Sequence, residues 1–261
     1  MAEYAIEVHG LGKRFVLGRR GGDGGLHQLY EDVLRGMTRK LAFGKSQAGP
    51  AAAGNRRELW ALRDVDLRIR HGEIIGLIGH NGAGKSVLLK ILSRITSPTE
   101  GHALIQGKVG SMLEVGAGFH PEFTGRENLF LVGAILGMEL AEIRAKFDDI
   151  VAFSEVEDML DTPVKRYSSG MYVRLAFAVA AHLDANIMLF DEVIAVGDVD
   201  FREKCLQRIK QMAAAGRTVV FVTHNTETLA QLCPRTIVMN HGRIQYDGAT
   251  ARILQQYRHQ P

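Results

Sequence analysis

Between residues 79 and 86 the chain reads Gly-His-Asn-Gly-Ala-Gly-Lys-Ser, a glycine-rich turn ending in Lys85-Ser86. An apolar run (Ile74, Ile75, Leu77, Ile78) precedes it, and an apolar pattern of helical period (Val87, Leu88, Leu89, Ile91, Leu92) follows. A strand that passes through such a turn into a helix is one unit of an α/β core, which the later unbroken apolar runs, each preceded by a helical stretch, predict by their alternation. The same turn constrains the chemistry. Gly79, Gly82 and Gly84 let successive backbone N–H groups turn toward one anion, with His80, Asn81 and Ala83 completing the loop, and the helix presents its positive dipole end. Lys85 reaches β- and γ-phosphates, and the Ser86 hydroxyl is a Mg²⁺ ligand. The segment predicts a bound nucleoside triphosphate.

A triphosphate site needs a second strand to hold the metal, and Ile187-Met188-Leu189-Phe190-Asp191 predicts one, with Asp191 at its carboxyl end facing the loop. Glu192 follows directly and is the candidate to orient and polarise the attacking water. His224, after the run Val219-Val220-Phe221-Val222-Thr223, is placed to contact the γ-phosphate. Tyr167-Ser168-Ser169-Gly170-Met171 precedes a helical pattern through Val173, Leu175, Ala176, Phe177, Val179 and Ala180. Ser168 and Ser169 are good N-cap residues, so this segment is a second helix start offering hydroxyls and N–H groups to an anion, or a plain cap.

Around these segments the period of the apolar residues changes. Residues 4–9 and 65–70 read as strands, the second alternating Val65, Leu67 and Ile69 with Asp66, Arg68 and Arg70, the mark of a half-exposed antiparallel sheet. The runs 187–190 and 219–222 are unbroken, as in parallel strands buried on both faces. Residues 127–160 are helical in period, and a helical subdomain is expected over about 115–170.

Residues 16–59 form an insertion. Glycines at 18, 21, 22, 24 and 25 and the stretch 47–54 flank a pattern in which Leu26, Leu29, Tyr30, Val33, Leu34, Met37 and Leu41 share one helical face. The opposite face carries Arg35, Arg39 and Lys40. Two readings of this 26–43 helix stand: docking on the chain's own core, or contact with a membrane partner and anionic headgroups.

Composition narrows the classes. With 261 residues and 46% hydrophobic content the chain can bury a full core. The most apolar stretch, Val173 to Leu183, is interrupted by Arg174 and His182 and is shorter than the ~18 to 20 apolar residues of a membrane span. Acids at the N-terminus, and no apolar stretch behind them, argue against a secretory signal. Cys205 and Cys233 have neither metal-ligand spacing nor a disulfide framework. A formal charge of +3, with positive residues scattered among acids, gives no nucleic-acid footprint.

In this order, the segments resemble the nucleotide-binding subunit of an ABC transporter. Residues 79–86 resemble Walker A, 187–191 Walker B with Glu192 the catalytic glutamate, Ala195-Val196-Gly197-Asp198 the D-loop, His224 the switch histidine and 167–171 the ABC signature. Ser169 stands where that signature usually has glycine, and Met171 where it has glutamine. Glu114 to Asn128, with Tyr167 to Phe177, is similar to the ATPase subunit of bacterial polysaccharide exporters, the O-antigen and teichoic-acid group, which also carry an extended segment between the first two strands.

The resemblance implies a single P-loop NTPase domain over 1–261: a parallel-sheet core, an antiparallel β subdomain and an inserted helical subdomain. It implies ATP and Mg²⁺, with Ser86, Asp191 and Glu114 at the metal, Glu114 standing where the family usually has a glutamine. Phe15 looks like the aromatic that stacks on adenine, with Trp60 and Tyr30 as alternatives. Val87 stands where a second hydroxyl residue is usual, which predicts nucleotide binding weaker by roughly 1 kcal/mol. The expected partners are a second copy, closed head to tail around ATP between 79–86 of one and 168–171 of the other, and a membrane-spanning permease in two copies. The cargo implied is a lipid-linked polysaccharide, with the chain on the cytoplasmic face of the bacterial inner membrane. Only about a dozen residues follow the core-like ending 240–248, so no C-terminal carbohydrate-binding domain is expected. A non-transport ABC ATPase shares the nucleotide motifs, whereas a small-molecule kinase accounts for residues 79–86 but not for 167–171 or His224.

Overall fold

The computed structural model describes residues 3–17, 57–113, 118–191 and 198–258. The 26–43 helix, Tyr30, Glu114, Glu192 and residues 195–197 lie outside the described residues.

Two sheets form the frame. The first is three-stranded and antiparallel, in the order β2-β1-β4, from β1 (Tyr4–Leu17), β2 (Arg57–Arg70) and β4 (Glu100–Ile105). The second is six-stranded, in the order β5-β6-β7-β3-β8-β9. Its strands are β3 (Ile74–Ile78), β5 (Val109–Met112), β6 (Ile187–Asp191), β7 (Thr218–Val222), β8 (Arg235–Asn240) and β9 (Arg243–Ala249). All its pairings are parallel except that of β9 with β8.

The antiparallel strands run further than 4–9 and 65–70. Phe15 pairs with Leu59 and Val16 with Glu58, so both ends of the expected 16–59 insertion already belong to the sheet. The register of β1 shifts between Val8 and Leu11, where Gly10 has φ +52°. That bulge interrupts the period-two pattern by which the strand would be read. Past it, Leu11 and Leu62 are fully buried, which holds the two strands together.

The parallel strands are buried on both faces, as their unbroken apolar runs require. Successive side chains alternate between two cores. Met188, Phe190, Val219 and Phe221 point to the helical side, whereas Ile187, Leu189, Val220 and Val222 point to the antiparallel sheet and helix α1 (Lys85–Leu92). On the helical side Phe177, Phe190 and Phe221 are fully buried, with Phe177 and Phe190 stacked at 5.7 Å. Truncating one of these to alanine would cost about 3–5 kcal/mol.

The helical subdomain follows the 127–160 periodicity. It contains α2 (Gly125–Ile135), α3 (Leu140–Ser154) and two single 3-10 turns, and leads into α4 (Ser169–Ala181). Thr124 and Glu127 form a reciprocal capping box at the start of α2, and Gly137, at φ +85°, ends that helix. Three further helices lie among the described residues: α5 (Val199–Ala214), α6 (Thr226–Leu232) and α7 (Thr250–Arg258). Among the described residues no helix is long and apolar enough to cross a membrane.

Candidate functional site

The 79–86 loop joins β3 to α1, and two of its glycines are required by what lies behind them. A Cβ on Gly79 would stand 2.2 Å from the Met239 carbonyl oxygen, and one on Gly84 2.6 Å from that of Ala61. Gly82 has φ +80° with open space where a Cβ would lie, so only its backbone conformation asks for glycine. His80, Asn81 and Gly82 are exposed, whereas Ala83 and Gly84 are buried. Lys85 is 8% exposed, and its ammonium donates to the carbonyls of Gly79 at 2.6 Å and His80 at 3.1 Å. Helix α1 starts at Gly84 with no side-chain cap, whereas α2, α4, α5 and α6 are capped by Thr124, Ser168, Asp198 and Asn225. A helix start of this kind favours an anion.

Strand order assembles the rest. β7 lies between β3 and β6, and Val222 is in register with both Leu77 and Asp191. The carboxyl ends of three adjacent parallel strands therefore hold the loop, Asp191 and, two residues past β7, the exposed His224. The Ser86 hydroxyl donates to Asp191 Oδ2 at 3.2 Å. A hydroxyl and a carboxylate side by side are hard oxygen donors that suit Mg²⁺, an ion that keeps waters and phosphate oxygens as its remaining ligands. The turn that carries His224 is pinned by Asn225, whose side chain accepts from the N–H groups of Glu227 and Thr228 at 2.9 Å each.

In the 167–171 segment, Ser168 caps α4, accepting from the Met171 N–H at 3.2 Å. Ser168 and Ser169 are exposed, and Gly170 has only the Ser168 hydroxyl, at 3.8 Å, near the place of a Cβ. The Tyr167 hydroxyl donates to the Met159 carbonyl at 2.9 Å, tying the segment to the helical subdomain.

Asp198 caps α5 through the Phe201 N–H at 2.9 Å and pairs with the Arg174 guanidinium. Arg174, on α4, also binds Glu155 at 2.6 Å, and Lys204 holds the other Glu155 oxygen at 2.7 Å. The Phe201 N–H and then Arg174 hold the Asp198 carboxyl below its usual range, and Lys204 followed by Arg174 does the same for Glu155. Sequence reasoning missed this network. Its one visible trace is a cation, Arg174, set in the apolar stretch 173–183.

Phe15 is half-buried with the Lys13 ammonium 5.3 Å from its ring centre. At Trp60 the guanidinium groups of Arg14 and Arg63 stand 5.5 and 5.7 Å from the ring centre, and the ring also packs on Gly12. Val87 is half-buried against the core shared by α1 and the antiparallel sheet. Asn128 closes the 114–128 motif, but its hydrogen-bonding role is visible only in the structure. Fully buried on α2, it accepts from the His120 N–H at 2.6 Å and donates to the carbonyls of His120, Phe123 and Thr124. It fixes the turn that exposes Phe123, whose ring centre lies 4.3 Å from that of His120 with the planes tilted by 32°.

Comparison with known proteins agrees with this geometry. Residues 62–195 match the ABC transporter family. The chain is 44% identical over 240 residues to the O-antigen export system ATP-binding protein RfbB of Myxococcus xanthus, covering 88% of this chain and 55% of that protein. It thus spans little more than half the length of that relative. It is 38% identical over 232 residues to the protein of the same name in Klebsiella pneumoniae, covering 89% of this chain and 93% of the relative. Among solved structures, a dimeric ATP-binding cassette bound to ADP and Pi superposes with a TM-score of 0.71 at 22% identity, over 94% of this chain and 98% of that one, a likeness of fold. With the phosphate loop, the Asp191 strand end and the capped Ser168 helix set on that fold, the chain belongs to the ABC transporter family.

Proposed function

We propose that this chain binds and hydrolyses ATP as the nucleotide-binding subunit of a transporter that exports a lipid-linked polysaccharide of the O-antigen type. One observation carries the nucleotide part: the Ser86 hydroxyl and the Asp191 carboxylate meet at 3.2 Å beside the Lys85 loop, at the carboxyl edge of a parallel sheet. The cargo follows from the names of the relatives that match over most of this chain.

In this reading Lys85 leaves the loop carbonyls for the β- and γ-phosphates, while the loop N–H groups hold the remaining oxygens. Phe15 stacks on the adenine. Ser86 and Asp191, with Glu114, hold Mg²⁺, which when bound neutralises charge on the phosphate oxygens. Glu192 takes a proton from the attacking water as the bond between the γ-phosphorus and the bridging oxygen breaks, and His224 steadies the γ-phosphate. A second copy lends Ser168, Ser169, Gly170 and Met171 to the same nucleotide, and Asp198 lies at that junction. Triphosphate charge then joins two positive helix ends, and hydrolysis releases them.

Two membrane-spanning subunits would receive the stroke where Asn128 holds the Phe119–Thr124 turn, placing the chain peripherally on the cytoplasmic face of the inner membrane. Reconstitution with its membrane subunit in vesicles tests the reading. ATP-dependent movement of lipid-linked polysaccharide, lost in Lys85→Ala, is expected. Phosphoryl transfer to a small acceptor, or transport indifferent to Lys85, contradicts it.

A further inference from the structure

The chain's last hairpin and helix stand against the phosphate loop at three points. The Met239 carbonyl of β8 fills the place of a Cβ on Gly79. The Gly242 N–H, in the turn between β8 and β9, donates to the Ala83 carbonyl at 3.0 Å. Tyr257, in the last turn of α7, sets its ring 6.2 Å from the ring of His80, the planes 33° apart.

Helix α7 is itself well fixed. Ile253 and Leu254 are buried, and Thr250 is hydrogen-bonded to Thr236, at 2.8 Å, and to the Cys233 carbonyl. Tyr257 also packs on the helical-side core, so its ring spans from that core to the exposed side of the loop. His80 is a sensitive place to touch. Its carbonyl accepts both the Ala83 N–H at 3.0 Å and the Lys85 ammonium at 3.1 Å, so its peptide plane sets the turn of the loop and the position of the lysine.

We infer that Tyr257 is a positioning residue for the triphosphate: by holding His80 it keeps the loop in its binding shape, and α7 thereby sets nucleotide affinity. The inference rests on the ATP reading above. It is tested in the full chain with Tyr257→Ala, Tyr257→Phe, His80→Ala and the double alanine variant, by ATP binding in Mg²⁺ and by amide exchange of residues 80–84 without nucleotide. Tyr257→Ala is expected to weaken ATP binding about two- to tenfold, the range of one ring contact. It should raise KM with kcat unchanged and speed exchange of the loop amides. Tyr257→Phe restores both, and the double variant binds no more weakly than the weaker single one.

Unchanged loop exchange in Tyr257→Ala, or additive losses in the double variant, would overturn the inference. Failure of the unaltered chain to bind ATP would overturn the functional reading instead, while the exchange comparison would still decide the role of Tyr257.

Discussion

Ser86 and Asp191 are 105 residues apart in sequence, yet the hydroxyl of one donates to the carboxylate of the other at 3.2 Å. The pairing of β3 and β6 on either side of β7 produces that contact, with Val222 in register with both neighbours. A hydroxyl at the start of one helix and a carboxylate at the end of a strand two places away give paired oxygen donors beside a lysine.

Asp191→Asn keeps the shape of this pair and removes its charge. ATP hydrolysis is expected to fall by more than about 10- to 100-fold, the loss typical of groups one step further from a metal. Phosphate release measured across a Mg²⁺ titration checks this, and an unchanged rate at every Mg²⁺ concentration refutes it.

Val87 is half-buried against the core shared by α1 and the antiparallel sheet, and threonine differs from it by a hydroxyl in place of a methyl. Val87→Thr adds the hydroxyl that the proposed nucleotide site would offer to an α-phosphate and should tighten ATP binding by about 1 kcal/mol, close to fivefold. Calorimetric titration with ATP decides, and equal affinities dismiss the role given to this position.

The sequence makes the local parts of the site legible. Glycine spacing with Lys85-Ser86 marks the phosphate loop, four apolar residues before Asp191 mark a buried strand, and Ser168 ahead of a helical period marks a cap that the structure contains. Contacts between distant segments are what it hides. Asn128 reads as one polar residue beside an apolar helix pattern, and only the fold of residues 118–124 over it reveals four hydrogen bonds. Arg174 reads as an interruption, because its partners Glu155 and Asp198 come from separate helix ends. The far part of β1 was obscured by the bulge at Gly10, which breaks the alternation on which strand reading depends.

Asn128→Ala strands a buried N–H and several carbonyls of the 118–124 turn. A loss of about 1–3 kcal/mol is expected in urea unfolding, the cost of leaving buried polar groups unpaired. A change within about 0.5 kcal/mol, as at an ordinary surface site, would remove this residue from the account.

Glu155 and Asp198 titrate lower in the folded chain than their ordinary values of 4.5 and 3.8, so folding favours their ionised forms. The stability they contribute is present above those values and is lost as pH falls through the lower folded ones. Glu155 is half-exposed, so solvent screening limits its share to about 1 kcal/mol or less. Urea unfolding of the unaltered chain and of Glu155→Gln should differ by this amount at pH 7, and the gap should close as pH falls below about 4. A gap that widens in acid contradicts the network.

In the proposed mechanism two copies enclose each ATP. Glu192→Gln, which removes the proposed base, should slow hydrolysis about 10²- to 10⁴-fold and trap the bound state. A crystal structure of that variant with ATP and Mg²⁺ is predicted to have residues 79–86 of one copy and 168–171 of the other on the same nucleotide. ATP touched by residues of one copy alone would contradict the account.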